Sequence, residues 1–385
     1  MLPNNMTGDE SAHDGKNSPT GKPPGKERPA AHPLAKLALL LGTLVVVVAL
    51  LELGFRLAGY GPATHLRWFA HPDLHYTAAP NQQGSVQVAD EGAGDRTIHV
   101  SINGYGQRCD DYPLEKEPGE FRVVVLGDSL TFGPGVGNDE TFVLQAERLL
   151  NQDQGKGESA DGFVRMVNVA ANGYSTIHYL RWMETQLETY RPDLVVMGLY
   201  IGNDLVIATR NRLFNPVPFP GIVRNSAVGH YLLENHRPVL MNLAESMAPA
   251  GSKSRLLEPI DKSLRRFVNV PEDKLGYDDK VLLWRHAMGH VTRMRELAEA
   301  AGIPFVCLLI PQSHMVSHEK DYPLHGWLQR GVERAGLSVI LPDAELRPLG
   351  MQGWHSYDPG HLNADGHAAV GQALARGLRE LGYVP

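Results

Sequence analysis

The stretch FRVVVLGDSLTFGPGVG, residues 121–137, runs an unbroken apolar segment into Gly127, Asp128, Ser129 and Leu130, and glycines crowd the residues from 133 to 137. An apolar run of this kind suits a strand buried on both faces of a parallel sheet. Its abrupt end admits two readings. Gly, Asp and Ser are ordinary turn residues, and strands have to stop. A strand-to-helix turn is also a good place to present a nucleophile. Those four residues alone do not separate the two.

Working outward, the pattern repeats. Apolar runs predict strands over 121–126, 164–169, 194–201, 304–310 and 338–341, and helix-like stretches fall over 140–151, 176–190, 280–301, 323–336 and 364–381. Continuous apolar strands alternating with helices imply an α/β fold: a three-layer α/β/α arrangement around a parallel sheet. Open sheets of this type bind ligands beyond the carboxyl ends of their strands, which is where Ser129 lies. The expected α/β domain spans 121–385, with a lid-like insertion at 205–279 that lacks a strand and carries FNPVPFPG and KSLRR. Residues 57–120, rich in Gly, Asp, Asn and His, are expected to be irregular and to cover one side of that domain.

The chain of 385 residues is long enough for a sizeable core, and 43% hydrophobic with 21% charged residues is ordinary globular composition. A net charge of −7 gives no support to a nucleic-acid partner. Two cysteines, Cys109 and Cys307, are too few for a disulfide framework or a cysteine-built zinc site. Cys307 sits in the apolar run PFVCLLI as a small hydrophobe; a single Cys109–Cys307 bridge is the disfavoured alternative.

Residues 1–33 carry few large apolar side chains and read as a disordered tail. Residues 34–56 then read as a transmembrane signal-anchor helix. The apolar core of that segment, 37–55, contains 19 residues with Glu52 as its single charge. It spans roughly 28 Å as a helix, close to the thickness of a bilayer core. A cleavable signal peptide fits less well, because the leader is long and no small-x-small site comes after it. Lys22, Lys26, Arg28 and Lys36 precede the segment, against Arg56 and Arg67 after it. That bias places the N-terminus in the cytoplasm and the rest of the chain beyond the cytoplasmic membrane, in the periplasm if the source is diderm.

A serine nucleophile needs a base, a group to orient the base, and donors for the oxyanion. In HSYDPGHLNADGHAAVGQAL, Asp358 and His361 stand three apart just before a helix that Asn363 can cap. The spacing lets the carboxylate take one imidazole proton and leaves the other nitrogen free. On the residues alone an ordinary turn is the better explanation, since His355 and His367 are equally at hand. Gly173 lies in the loop after the second strand and Asn203 directly after the third; either suits an oxyanion donor, and either suits a plain turn. His286 and His290, four apart on a helix, could supply half a zinc site, but Ala-Met-Gly between them lacks a general-base Glu. GPGVG at 133–137 lacks the Lys-Ser/Thr of a phosphate loop and reads as slack beside the site.

Taken together, GDSLTFGPGV (127–136), NVAANGYST (168–176), GND (202–204) and DPGHLNADGH (358–367) make the chain resemble the SGNH (GDSL-type) hydrolase superfamily over residues 98–381. The resemblance implies Ser129 as nucleophile, His361 as base and Asp358 as its partner. It implies an oxyanion hole of the Ser129 N–H, the Gly173 N–H and the Asn203 amide, with no cofactor and no metal. Ile201 stands where relatives often have Gly, and Ala170 where many have a first glycine. The stretch HVSINGYGQRCDDYPLEKEPGEFRVVVLGDS after a single membrane helix is similar to a membrane-anchored bacterial group often associated with envelope carbohydrate. The resemblance therefore implies an acyl or O-acetyl esterase with an ester substrate, an acylated glycan among the candidates. An O-acyltransferase and an idle glycan-binding protein are the alternatives.

Overall fold

The computed structural model describes residues 33–57, 66, 68–71, 73–90, 94–152, 162–204, 228, 276–316 and 323–384. The quoted stretch opens on an inner strand of its main sheet. In β5 (Glu120–Leu126), Val123 and Val125 face one core while Val124 and Leu126 face another, and all four are no more than 1% exposed. Alternation of successive side chains across a strand, with both faces apolar, forces helices onto both sides.

In chain order, the first element is helix α1, Pro33–Leu57. Strands β1 (Trp68–His71), β2 (His75–Ala78), β3 (Gln82–Asp90) and β4 (Gly94–Ile102) precede β5. Then come α2 (Ser129–Phe132), α3 (Phe142–Gln152), β6 (Phe163–Asn168), α4 (Thr176–Tyr190) and β7 (Leu194–Tyr200). After the insertion lie α5 (Tyr277–Ala300), β8 (Phe305–Ile310), α6 (Ser313–Val316), α7 (Pro323–Arg334), β9 (Ser338–Ile340), α8 (Asp343–Leu346) and α9 (Ala364–Glu380).

Among the described residues, the main sheet has five strands in the order β6-β5-β7-β8-β9, all parallel. Helices α4, α5 and α7 cover one face, through Ile177, Met183, Val291, Met294, Leu328 and Val332. Helices α3 and α9 cover the other, through Phe142, Ala146, Leu150, Val370 and Leu374. This is the expected three-layer arrangement. The chain steps from β5 to β6, then crosses back over β5 to reach β7, so the direction of winding reverses between β5 and β7. The crevice at that reversal lies beyond the carboxyl ends of the two strands.

Helix α1 runs for 25 residues and its leucine and valine side chains are exposed all round, with none buried. At 1.5 Å per residue that is about 38 Å, enough to cross a bilayer. The tail at 1–33 lies outside the described residues but for Pro33, which opens α1.

One expectation changes. Residues 57–120 are not irregular throughout: β1 pairs with β2 and β3 with β4 in two antiparallel ladders. In TIHVSI, residues 97–102, Ile98, Val100 and Ile102 are buried while Thr97 and His99 are exposed. A strand that buries only one face carries period-two alternation rather than a continuous apolar run. Of the lid-like insertion expected at 205–279, residues 205–227 and 229–275 lie outside the described residues. Its last residues, from Tyr277, belong to α5.

Both cysteines are free and buried. Cys307 is in β8 inside the core, and burial pushes both thiols upward, Cys109 to about 12.

Candidate active site

Ser129 opens α2 directly after β5, and the turn that places it is tightly constrained. Asp128 caps the helix, its carboxylate accepting from the Leu130 N–H at 2.9 Å. Gly127 is a glycine by necessity: a Cβ there would sit 2.0 Å from Thr131 Oγ1. The Thr131 carbonyl accepts in turn from the Asn168 amide, at 2.9 Å, which ties the turn to the end of β6.

The Asp358–His361 turn comes back to this point from the C-terminal end of the chain. The His361 N–H donates to the Asp358 carbonyl at 3.0 Å, the His355 N–H to the His361 carbonyl at 3.0 Å, and Trp354 bridges to Leu362. Asn363 then caps α9 by accepting from Gly366 N. Held this way, His361 Nδ1 lies 2.6 Å from Asp358 Oδ2, and its Nε2 lies 2.8 Å from Ser129 Oγ. A carboxylate can only accept, so Nδ1 carries the proton and Nε2 is the acceptor for the serine hydroxyl. The structure thus joins Ser129, His361 and Asp358 in one hydrogen-bonded chain.

The competing histidines are used elsewhere. His367 Nδ1 accepts from the Phe142 N–H at 3.2 Å deep in the α3–α9 packing, where burial pushes its pKa down to about 3. His355 packs against the loop after α2, close enough that a Cβ on Gly135 would lie 2.3 Å from its Nε2; burial lowers its pKa as well. His286 and His290 stack edge to face with centroids 4.5 Å apart, and His290 Nδ1 lies 3.0 Å from Thr176 Oγ1. Among the described residues no group of three or more His, Cys, Asp or Glu side chains is placed to hold a metal ion.

Gly173 lies in a turn closed by the Tyr174 N–H donating to the Ala171 carbonyl at 3.1 Å, with φ of +79°. That loop adjoins the Ser129 turn, the Ala171 N–H reaching the Gly127 carbonyl at 3.4 Å. Asn203 comes after β7, and its amide lies beside the Asp128 carboxyl. Burial pushes Asp128 up to about 6, against the pull of the Leu130 N–H and the Asn203 amide. Asp204, next along, is raised well above the ordinary carboxylate range by burial and by Asp128, while accepting from Tyr179 Oη and Tyr200 N at 2.8 Å each.

Three supporting residues are not evident from the sequence. Arg108, 1% exposed, donates to the Phe132 carbonyl at 2.6 Å, to the Gly133 and Val136 carbonyls, and to Asn138 Oδ1 at 3.1 Å. The GPGVG segment is therefore clamped rather than slack. Tyr76 and Tyr174 tie β2 to the Gly173 loop. Nothing in their spacing announces these roles, because all but one of the partners named, Asn138, are backbone carbonyls, which every residue has.

No family model matches the chain, and no curated protein matches it. Among solved structures, the chain is similar to the psychrotrophic esterase EstA from Pseudoalteromonas sp. inhibited by monoethylphosphonate, at 12% identity, over 68% of this chain and 98% of that one, with a TM-score of 0.38. It is similar to a protein of the G-D-S-L family from Desulfitobacterium hafniense DCB-2, at 13% identity, over 67% and 99%, TM-score 0.37. It is also similar to an acetyl xylan esterase from Geobacillus stearothermophilus, at 13% identity, over 69% and 95%, TM-score 0.38.

Proposed function

We propose that this chain is a membrane-anchored serine ester hydrolase that works through an acyl-serine intermediate. The observation that carries this reading is the Asp358–His361–Ser129 chain, at 2.6 and 2.8 Å, at the carboxyl end of β5. Ser129 Oγ attacks the ester carbonyl while His361 Nε2 takes its proton, and Asp358 stabilises the imidazolium that forms. The Ser129 and Gly173 N–H groups and the Asn203 amide hold the oxyanion. His361 returns the proton to the leaving alcohol; water, deprotonated by the same imidazole, then releases the acid. Helix α1 supplies the anchor, with the N-terminus in the cytoplasm and the catalytic portion outside it. A short acyl group on an envelope carbohydrate is the substrate class that the family resemblance favours.

The experiment uses the full chain in detergent micelles with a fluorophosphonate probe and p-nitrophenyl acetate. Labelling is expected on Ser129 alone by mass spectrometry, with turnover at least about 10³-fold lower in Ser129→Ala. Labelling on another residue, or turnover untouched by the substitution, would rule the reading out. For the anchor, the chain is expected to stay with membranes through an alkaline wash, and a C-terminal reporter to be active only outside the cytoplasm.

A further inference from the structure

The Gly173 turn is held by a strand almost a hundred residues earlier. Tyr76, on β2, donates its phenolic O–H to the Asn172 carbonyl at 2.5 Å, and Tyr174 donates its own to the Tyr76 carbonyl at 2.5 Å. Both rings are buried, and their centroids lie 5.3 Å apart. Trp68, on β1, packs against Tyr76 on one side and Phe132 of α2 on the other, at 5.7 and 5.5 Å.

The Asn172 carbonyl and the Gly173 N–H are the two ends of a single planar trans peptide unit and point in opposite directions. That unit is the central peptide of the turn from Ala171 to Tyr174, with Gly173 in the third place. A positive φ there is the mark of a type II turn; the type I alternative has the same end-to-end bond with the central peptide turned over. Glycine adopts both forms with little steric penalty, so the residue identity does not choose between them. The phenol of Tyr76 does, because only one orientation presents the carbonyl to it. Turning the peptide over would take the Gly173 N–H away from its present direction.

We propose that Tyr76 is a positioning residue of the oxyanion hole: by holding the Asn172 carbonyl it fixes the direction of the Gly173 N–H. This rests on the reading of Gly173 as an oxyanion donor. Tyr174 serves as the internal comparison. It makes the other half of the same clasp, but its hydroxyl does not touch the 172–173 peptide.

The test measures hydrolysis of paired oxo- and thiono-esters by the full chain in micelles, with active serine titrated by the fluorophosphonate. A working oxyanion hole discriminates against sulfur, so the oxo/thiono ratio of kcat/KM reports on the donors and not on the amount of folded enzyme. Tyr76→Phe is expected to lower kcat on the oxo-ester by about 10- to 100-fold, with KM within about twofold, and to reduce the ratio sharply. Tyr174→Phe is expected to keep the oxo/thiono ratio within about threefold of the parent, whatever it does to the amount of active enzyme. Equal losses of that ratio in the two variants, or an unchanged ratio in Tyr76→Phe, would overturn the proposal. Should Tyr76→Phe fail to fold, a ring-fluorinated tyrosine at position 76 keeps the shape and strengthens the donor; the ratio is then expected to rise, and a constant ratio overturns the proposal. A parent enzyme that labels at Ser129 but shows no oxo/thiono preference refutes the oxyanion reading itself, a result separate from either variant's.

Discussion

Arg108 donates to three backbone carbonyls and to Asn138 from a position with almost no solvent contact. Replacing it with Met fills much the same volume and leaves those carbonyls without donors. The expected cost is about 3–5 kcal/mol, read as a lowered urea midpoint, with catalysis lost more steeply than stability because the loop after α2 is what loosens. His367 gives a second expectation at this scale. Its folded pKa, near 3, lies below the ordinary value of 6.5, so between those pH values the unfolded chain binds a proton that the native one refuses. Stability from this group is intact above pH 6.5 and drains as pH falls towards 3, at up to about 1.4 kcal/mol per pH unit. His290, also near 3, acts in the same direction, whereas Asp128, near 6, acts in the opposite one between about pH 4 and 6, where the native chain keeps a proton the unfolded one has shed. The His367 contribution is isolated by difference: the stability of His367→Gln relative to the parent should improve steadily on going from pH 7 to pH 4.5. A difference that stays constant would show that His367 titrates normally.

At the scale of elements, the position of His361 depends on how closely α9 lies against α3. Gly371 makes that approach possible, since a Cβ there would sit 2.8 Å from Gln145 Cβ and 3.0 Å from the Phe142 carbonyl. Gly371→Val should push the helices apart, cost about 1–3 kcal/mol, and lower fluorophosphonate labelling in folded protein, because α9 begins just after His361. Wild-type labelling would show that the Asp358–His361 turn is fixed independently of the helix. The same scale explains what the sequence discloses. Strands buried on both faces announce themselves as apolar runs, and β5 to β9 are readable within a residue or two. The ladders β1–β2 and β3–β4 escape that reading, although Ile98, Val100 and Ile102 alternate with Thr97, His99 and Ser101, which is the signature of a half-buried strand. For the site, Ser129, Asp358 and His361 are visible as residue types at strand and helix ends, but choosing His361 over His355 and His367 requires the distances. Arg108 and Tyr76 are illegible because they recognise backbone.

At the scale of the whole chain, the segment before the sheet is stapled at both ends of β5. Arg108 grips the loop beyond its carboxyl end, while Arg122, fully buried beside Glu120, donates to the Pro113, Leu114 and Tyr190 carbonyls at its amino end. Removal of residues 66–112 should therefore leave a chain that keeps all three residues of the Asp358–His361–Ser129 chain yet neither labels with fluorophosphonate nor turns over ester. A fully active remnant starting near residue 113 would contradict this.

The contacts made between Trp68 and Arg108 also bear on the anchor proposed for α1. If α1 holds the chain to a bilayer, a protease cutting between those two residues releases the rest only by stripping away pieces that hold the Gly173 turn and the loop after α2. A soluble form shed by such a cut would drift off silent, so activity and attachment would end together.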